Sequence, residues 1–119
     1  MARFGEMIRN NGQYLGKQIV PKAVVDDIRG GGDKAAFAKA GYDLLKGGSY
    51  RDMWWVTHNA DGAFMARGVY GQRTYIDPKA EMVIVRYASN PIAGNAANDP
   101  VTIPAFEALA KHLIAHPQP

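Results

Sequence analysis

Apolar residues recur at helical spacing in the first ten positions. Met1, Phe4, Met7 and Ile8 share one side, with Glu6 and Arg9 on the other. Asn10-Asn11-Gly12 follows with residues that accept the left-handed conformation closing a helix. No Ser, Thr, Asp or Asn precedes the run to cap it, so it reads as a frayed start or as the continuation of a longer segment. Residues 18–20 are short and extended, Pro21 suits the first turn of a second helix, and Val24, Val25 and Ile28 form its apolar stripe. Gly30-Gly31-Gly32 ends that helix, and Asp33 caps a short Ala-rich helix over 34–40. A glycine triplet cradles phosphate when a strand precedes it and a helix opens after it; here a helix precedes it, and termination is the reading.

From Ser49 the period changes to that of strands. Residues 50–58 carry Trp54, Trp55, Val56 and Thr57, and Asn59-Ala60-Asp61-Gly62 is a turn with hairpin chemistry. Residues 63–70 form the next strand, 73–76 run into the Asp77-Pro78 turn, and 82–87 (MVIVRY, from Met82 through Tyr87) is apolar on both faces. After a loop over 90–100, Pro104 opens a closing helix that buries Phe106, Leu109, Ala110, Leu113 and Ile114. The pattern predicts an α+β fold in one domain: a helical segment over 1–48, a three-stranded antiparallel meander over 49–88, and a C-terminal helix over 101–116.

Composition narrows the chemistry. At 119 residues the chain has room for one domain. It contains no cysteine, which excludes disulfide scaffolds, thiol catalysis and cysteine zinc sites. No apolar run is long enough to cross a membrane as a helix, and no apolar stretch follows Arg3 as a signal peptide requires, so the compartment stays open. Fourteen Lys and Arg against 11 Asp and Glu leave a charge of +3. The basic residues are never adjacent, whereas a phosphate-tracking surface needs a stripe, so no nucleic-acid partner is expected.

Candidate catalytic groups are sparse. Ser49 precedes Tyr50-Arg51-Asp52 and Ser89 precedes Asn90-Pro91-Ile92, so neither lies in a Ser-x-x-Lys or Gly-x-Ser-x-Gly context. His112 and His116 have ligand spacing but lack the neighbouring glutamate and a third ligand, so no metal is expected. Trp54 and Trp55 place one indole on each face of a strand, one for the core and one for a pocket or an apolar edge. Gly68 and Gly71 within 63–72 permit close approach to the backbone, or mark a bulge or tight turn.

The order of these pieces carries a resemblance. Ala2-Arg3-Phe4-Gly5, Asn11-Gly12, Ile19-Val20-Pro21, Trp54-Trp55, Arg67-Gly68-Val69-Tyr70-Gly71-Gln72, Tyr75-Ile76-Asp77-Pro78 and Met82-Val83-Ile84-Val85-Arg86 follow one another, with 93–100 before the last helix. This resembles the C-terminal part of serine β-lactamase-like hydrolases, the group of class C β-lactamases, D-Ala-D-Ala carboxypeptidases and related esterases. Within the group it is most similar to the 6-aminohexanoate-dimer hydrolase branch. The resemblance implies acyl transfer through a serine nucleophile with a lysine base and a tyrosine, without a cofactor, on a small amide or ester. The family's Ser-x-x-Lys and Tyr-x-Asn motifs do not occur in these residues, so the chain by itself is expected to be inactive.

The resemblance also implies which residues serve the site. Its Lys/His-Thr/Ser-Gly element falls on Ala66-Arg67-Gly68, and Val69 then offers its backbone N–H to an oxyanion hole; a second register would place the element on Val69-Tyr70-Gly71. Arg67, Tyr70 and the pocket-facing member of the pair Trp54 and Trp55 would line the substrate pocket. Ala66 in place of Lys or His points away from carboxylate-bearing β-lactams. In that fold, strands from the N-terminal region pair beside 82–87; without them this run is an exposed apolar edge open to self-association. The alternative is a free-standing, non-catalytic α+β module that binds through the Trp54/Trp55 face.

Overall fold

The computed structural model describes residues 1–117. Four helices are present: α1 Ala2–Arg9, α2 Lys22–Gly30, α3 Lys34–Ala38 and α4 Asp99–Ala115. A small hairpin joins β1 Gln13–Tyr14 to β2 Lys17–Gln18. The main sheet comprises β3 Ser49–Arg51, β4 Trp54–Val56, β5 Phe64–Arg67, β6 Arg73–Asp77 and β7 Met82–Arg86, antiparallel throughout and in sequence order. The chain is therefore α+β with a closing helix, and its meander has five strands where the pattern suggested three.

The extra strands have physical causes. Asp52 and Met53 take φ of 48° and 72°, so the expected strand over 50–58 folds back on itself between them. Two left-handed residues in succession are what a two-residue hairpin needs, but Asp-Met lacks the glycine that signals it. The stretch before Asp77-Pro78 is a full strand, paired on both sides. Helix α4 starts at Asp99, upstream of Pro104, which sits inside it. Proline lacks an N–H, so the carbonyl one turn earlier goes without its helical partner there.

Pairing register sorts the side chains between two cores. Val56, Phe64, Ile76 and Val83 lie in line across the sheet on one face, with Trp54 beside them. Met7 and Ile8 of α1 and Val25 and Ile28 of α2 pack on them. Helix α1 comes close because Gly5 faces Val83: a Cβ on Gly5 would lie 2.6 Å from the Val83 side chain. Arg29 ties α2 to the end of α1, donating to the Asn11 side chain at 2.7 Å and to the Arg9 carbonyl at 2.8 Å. On the opposite face Met65 and Tyr75 are fully buried under Ile103 and Ala110 of α4, together with Phe37 and Leu45.

Strand β7 is the last of the sheet, with no strand of the described residues on its outer side. The expected two-sided exposure does not hold for its faces. Met82 is buried, 83–86 are half-buried between α1 and α4, and Tyr87 alone of the run is exposed.

A polar clamp joins the glycine-rich link after α2 to β3. The Gly32 N–H donates to the Ser49 hydroxyl at 3.0 Å, and that hydroxyl lies 2.7 Å from Nε2 of His58. In the neutral imidazole whose Nε2 carries no proton, that nitrogen accepts the Ser49 hydroxyl while the Ser49 oxygen accepts from Gly32. Burial first, and then the charge of Lys34, hold the His58 pKa below its ordinary value. A histidine with a lowered folded-state pKa binds its proton more readily when unfolded. Its contribution is complete above about pH 6.5 and is lost as pH falls through the folded-state value. Urea unfolding at pH 5.5 is therefore expected at lower denaturant concentration than at pH 7.5, with the difference reduced in His58→Asn.

Candidate functional site

Strand β5 ends at Arg67, and Gly68 leads into a single tight turn, Val69–Gly71, before β6 begins. Tyr70 and Gly71 have φ of 57° and 90°, a conformation costly for tyrosine and free for glycine. A Cβ at Gly71 would also lie 2.2 Å from Nδ2 of the Asn90 side chain, so a substitution there would strain the backbone and displace Asn90.

Contacts from the segment before α4 hold this turn. The Tyr70 N–H donates to the Ala93 carbonyl at 3.0 Å, and the Tyr70 carbonyl accepts from the Asn90 N–H at 3.1 Å. Asn95 donates through Nδ2 to the Gly68 carbonyl at 2.9 Å and accepts the Gly71 N–H on Oδ1 at 3.1 Å. Gly68 N–H donates to the Gln72 carbonyl, and Gln72 N–H to the Val69 carbonyl. In the stretch from Gly68 to Gln72, every backbone N–H has an acceptor among the described residues except that of Val69.

Beside the turn lies a charged row. Arg67, Arg73 and Arg86 stand opposite one another on β5, β6 and β7. Like charges in register repel, and Asp99, in the first turn of α4, answers them. Its two carboxylate oxygens accept from Arg67 and from Arg73, while Arg86 donates to the Thr102 hydroxyl at 2.8 Å. The Arg73 side chain is 1% exposed. Burial first, and then the charge of Arg67, lower its pKa from the ordinary guanidinium value, against the pull of Asp99. The Arg67 guanidinium carbon lies 5.3 Å from the Tyr42 ring centre and 5.6 Å from that of Trp55, in cation–π contact with both.

A groove of about 720 Å³ opens on the α4 side, between the 40–45 segment and the 93–96 loop, and reaches Trp55, Arg67, Gly68 and Val69. A smaller depression of about 350 Å³ reaches Trp55, Arg67, Gly68 and Ala66. The structure thus gathers Trp55, Arg67, Gly68 and Val69 at one place. Trp54 is elsewhere: its ring packs in the α1–α2 core, 6.4 Å from Phe4 and 5.3 Å from Phe64. Alternation along β4 decides this, since adjacent residues face opposite ways. Tyr70 is half-exposed and serves the turn through its backbone. Sequence reasoning did not single out Asn95, Asp99, Arg73 or Tyr42; only the facing positions of Arg67 and Arg73 across a predicted hairpin carried a signal.

The sheet, its closing helix and the turn between β5 and β6 are the C-terminal part of a β-lactamase-like hydrolase fold. Known proteins carry this assignment. The chain is similar to the 6-aminohexanoate-dimer hydrolase of Paenarthrobacter ureafaciens, with 33% identity over 92 residues, 76% of this chain and 24% of the relative. It is also similar to the solved structure of a Bacillus anthracis protein provisionally named a 6-aminohexanoate-dimer hydrolase. There the TM-score is 0.77 and the identity 40%, over 98% of this chain and 29% of that one. The chain is thus a homologue of 6-aminohexanoate-dimer hydrolases and spans about a quarter of the length of the curated relative. No family model matches it.

The Asp99 bridge gives a direct test. Asp99→Ala leaves two buried guanidinium groups side by side without a counter-charge, which costs about 3–5 kcal/mol. Thermal unfolding monitored by circular dichroism is expected to show the loss, partly recovered by adding Arg73→Met.

Proposed function

We propose that this chain supplies the oxyanion-hole strand and one pocket wall of a serine hydrolase acting on amides or esters. The nucleophile and base come from polypeptide outside these 119 residues. The observation that carries this reading is the Val69 N–H, the one backbone donor of the Gly68–Gln72 stretch without an acceptor among the described residues. A free N–H beside a groove is able to donate to a substrate oxygen that gains charge. A serine oxygen from the complementary polypeptide attacks the substrate carbonyl carbon and passes its proton to the base. The carbonyl π electrons move onto oxygen, and Val69 stabilises the resulting oxyanion. Collapse of this intermediate expels the amine or alcohol, which takes up the proton, and water then hydrolyses the acyl-enzyme.

The groove walls fit a neutral, flexible acyl group. Tyr42, Leu45, Trp55, Ala93 and Ala96 offer mostly apolar surface, and the Arg67 charge is engaged by Asp99 and two aromatic rings. Ala66 leaves no cation at the position where related β-lactamases carry Lys or His. On the same reading, the unpaired outer edge of β7 is where the complementary part of the sheet, or a second copy, pairs.

Complementation tests the proposal. The 119-residue chain is mixed or co-expressed with a 6-aminohexanoate-dimer hydrolase truncated before its matching segment. Hydrolysis of 6-aminohexanoate dimer or p-nitrophenyl butyrate is expected only when both parts are present. Turnover by the isolated chain that survives Ser49→Ala and Ser89→Ala would overturn the reading. A chain that folds as a monomer and never complements would favour a binding module built on Trp55.

A further inference from the structure

We infer that Asn95 is a positioning residue that aims the Val69 N–H at the substrate oxygen, an inference that rests on the oxyanion role proposed above. The argument begins with the peptide bond. The Gly68 carbonyl and the Val69 N–H are two ends of one planar unit, and in a trans peptide they point in opposite directions. No cis peptide occurs in the described chain. Whatever fixes the direction of the Gly68 oxygen therefore fixes that of the Val69 hydrogen. Asn95 does so, donating Nδ2 to that oxygen at 2.9 Å.

The same side chain takes the Gly71 N–H on Oδ1, so one amide group grips the turn on both sides of the free donor. The turn does not hold itself in shape. Its internal bond from Gln72 N–H to the Val69 carbonyl is long, at 3.4 Å, and it contains two left-handed residues. Asn95 is anchored in turn, because its carbonyl accepts from the N–H groups of both Asn98 and Asp99 at 2.9 Å, where α4 begins. Asp99 is bound to Arg67, one residue before Gly68. A closed circuit of bonds thus runs from the sheet through α4 to Asn95 and back to the turn. A bond to a peptide oxygen also polarises the N–H at the other end, making it a better donor to a developing negative charge.

Two variants separate aiming from simply holding the turn. Asn95→Ala loses both bonds, whereas Asn95→Asp keeps the acceptor for Gly71 N–H and loses the donor to Gly68. In the complemented hydrolase, both are expected to lower kcat about 100-fold with KM within about twofold, as for loss of an oxyanion donor or its misplacement. In the 119-residue chain, the Gly68 carbonyl ¹³C shift moves in both variants. Gly71 amide exchange accelerates at least about tenfold in Asn95→Ala and stays slow in Asn95→Asp. Val69→Pro, placed after an extended Gly68 that tolerates a following proline, removes the donor itself.

If Val69→Pro abolishes turnover and Asn95→Asp retains wild-type kcat, the role of Asn95 is overturned and that of Val69 stands. If Val69→Pro turns over normally, the oxyanion reading falls and the inference with it. An unchanged Gly68 carbonyl shift in Asn95→Ala, or faster exchange spread to Met65 and Tyr75, overturns the inference whatever the kinetics.

Discussion

Asp99 is the counter-ion on which this end of the molecule depends. Three arginines meet across β5, β6 and β7, and two of them are shielded from water. Without an anion over the row, strands carrying those charges in register would repel and the end of the sheet would splay. One carboxylate bonds two guanidinium groups, and because it lies in the first turn of α4 it also fixes where the closing helix lands. The helix N-terminus favours a carboxylate there by its dipole. Charge pairing and helix docking are therefore one event.

That event shapes the region where chemistry is proposed. The loop entering α4 lies beside the β5–β6 turn because α4 begins at Asp99, and from the loop come the Ala93 carbonyl and the Asn95 amide that hold the turn. Left-handed geometry at Tyr70 is sustained from outside, by bonds to Asn90 and Ala93, twenty and more residues away. A strained turn held in this way suits a donor that must not reorient during a reaction, since preorganisation removes the cost of aligning the dipole. The groove beside it inherits its wall from the same packing, as Tyr42 and Trp55 close over an arginine that Asp99 holds in place.

The chain spans about a quarter of the length of the curated relative, and β7 is the outermost strand of its sheet among the described residues. The two cores are nevertheless well formed. Phe64, Met65, Tyr75 and Ile76 are fully buried, and both faces of the central strands are covered by helices of this chain.

The places of α1, α2 and α3, the Asp33 cap, the Asn59–Gly62 turn and the antiparallel order of strands were legible in the sequence, because local periodicity and turn chemistry determine them. The division of labour between Trp54 and Trp55 was legible as a split, though not in its direction, since strand alternation says that two neighbours face opposite ways and not which face holds the core. The Asp52-Met53 hairpin was not legible: neither residue advertises left-handed geometry, and cross-strand pairing between Tyr50 and Trp55 imposes it. Asn95 and Asp99 lay in a stretch that read as a loop and carried part of the family resemblance, with no role for either side chain. Their roles arise from bonds spanning 24 to 32 residues of sequence, and such contacts leave no periodic trace. The sequence by itself determined the kind of fold and the place of the turn. Tertiary packing decided which N–H in that turn stays free, because an N–H is left unpaired only after every acceptor around it has been placed.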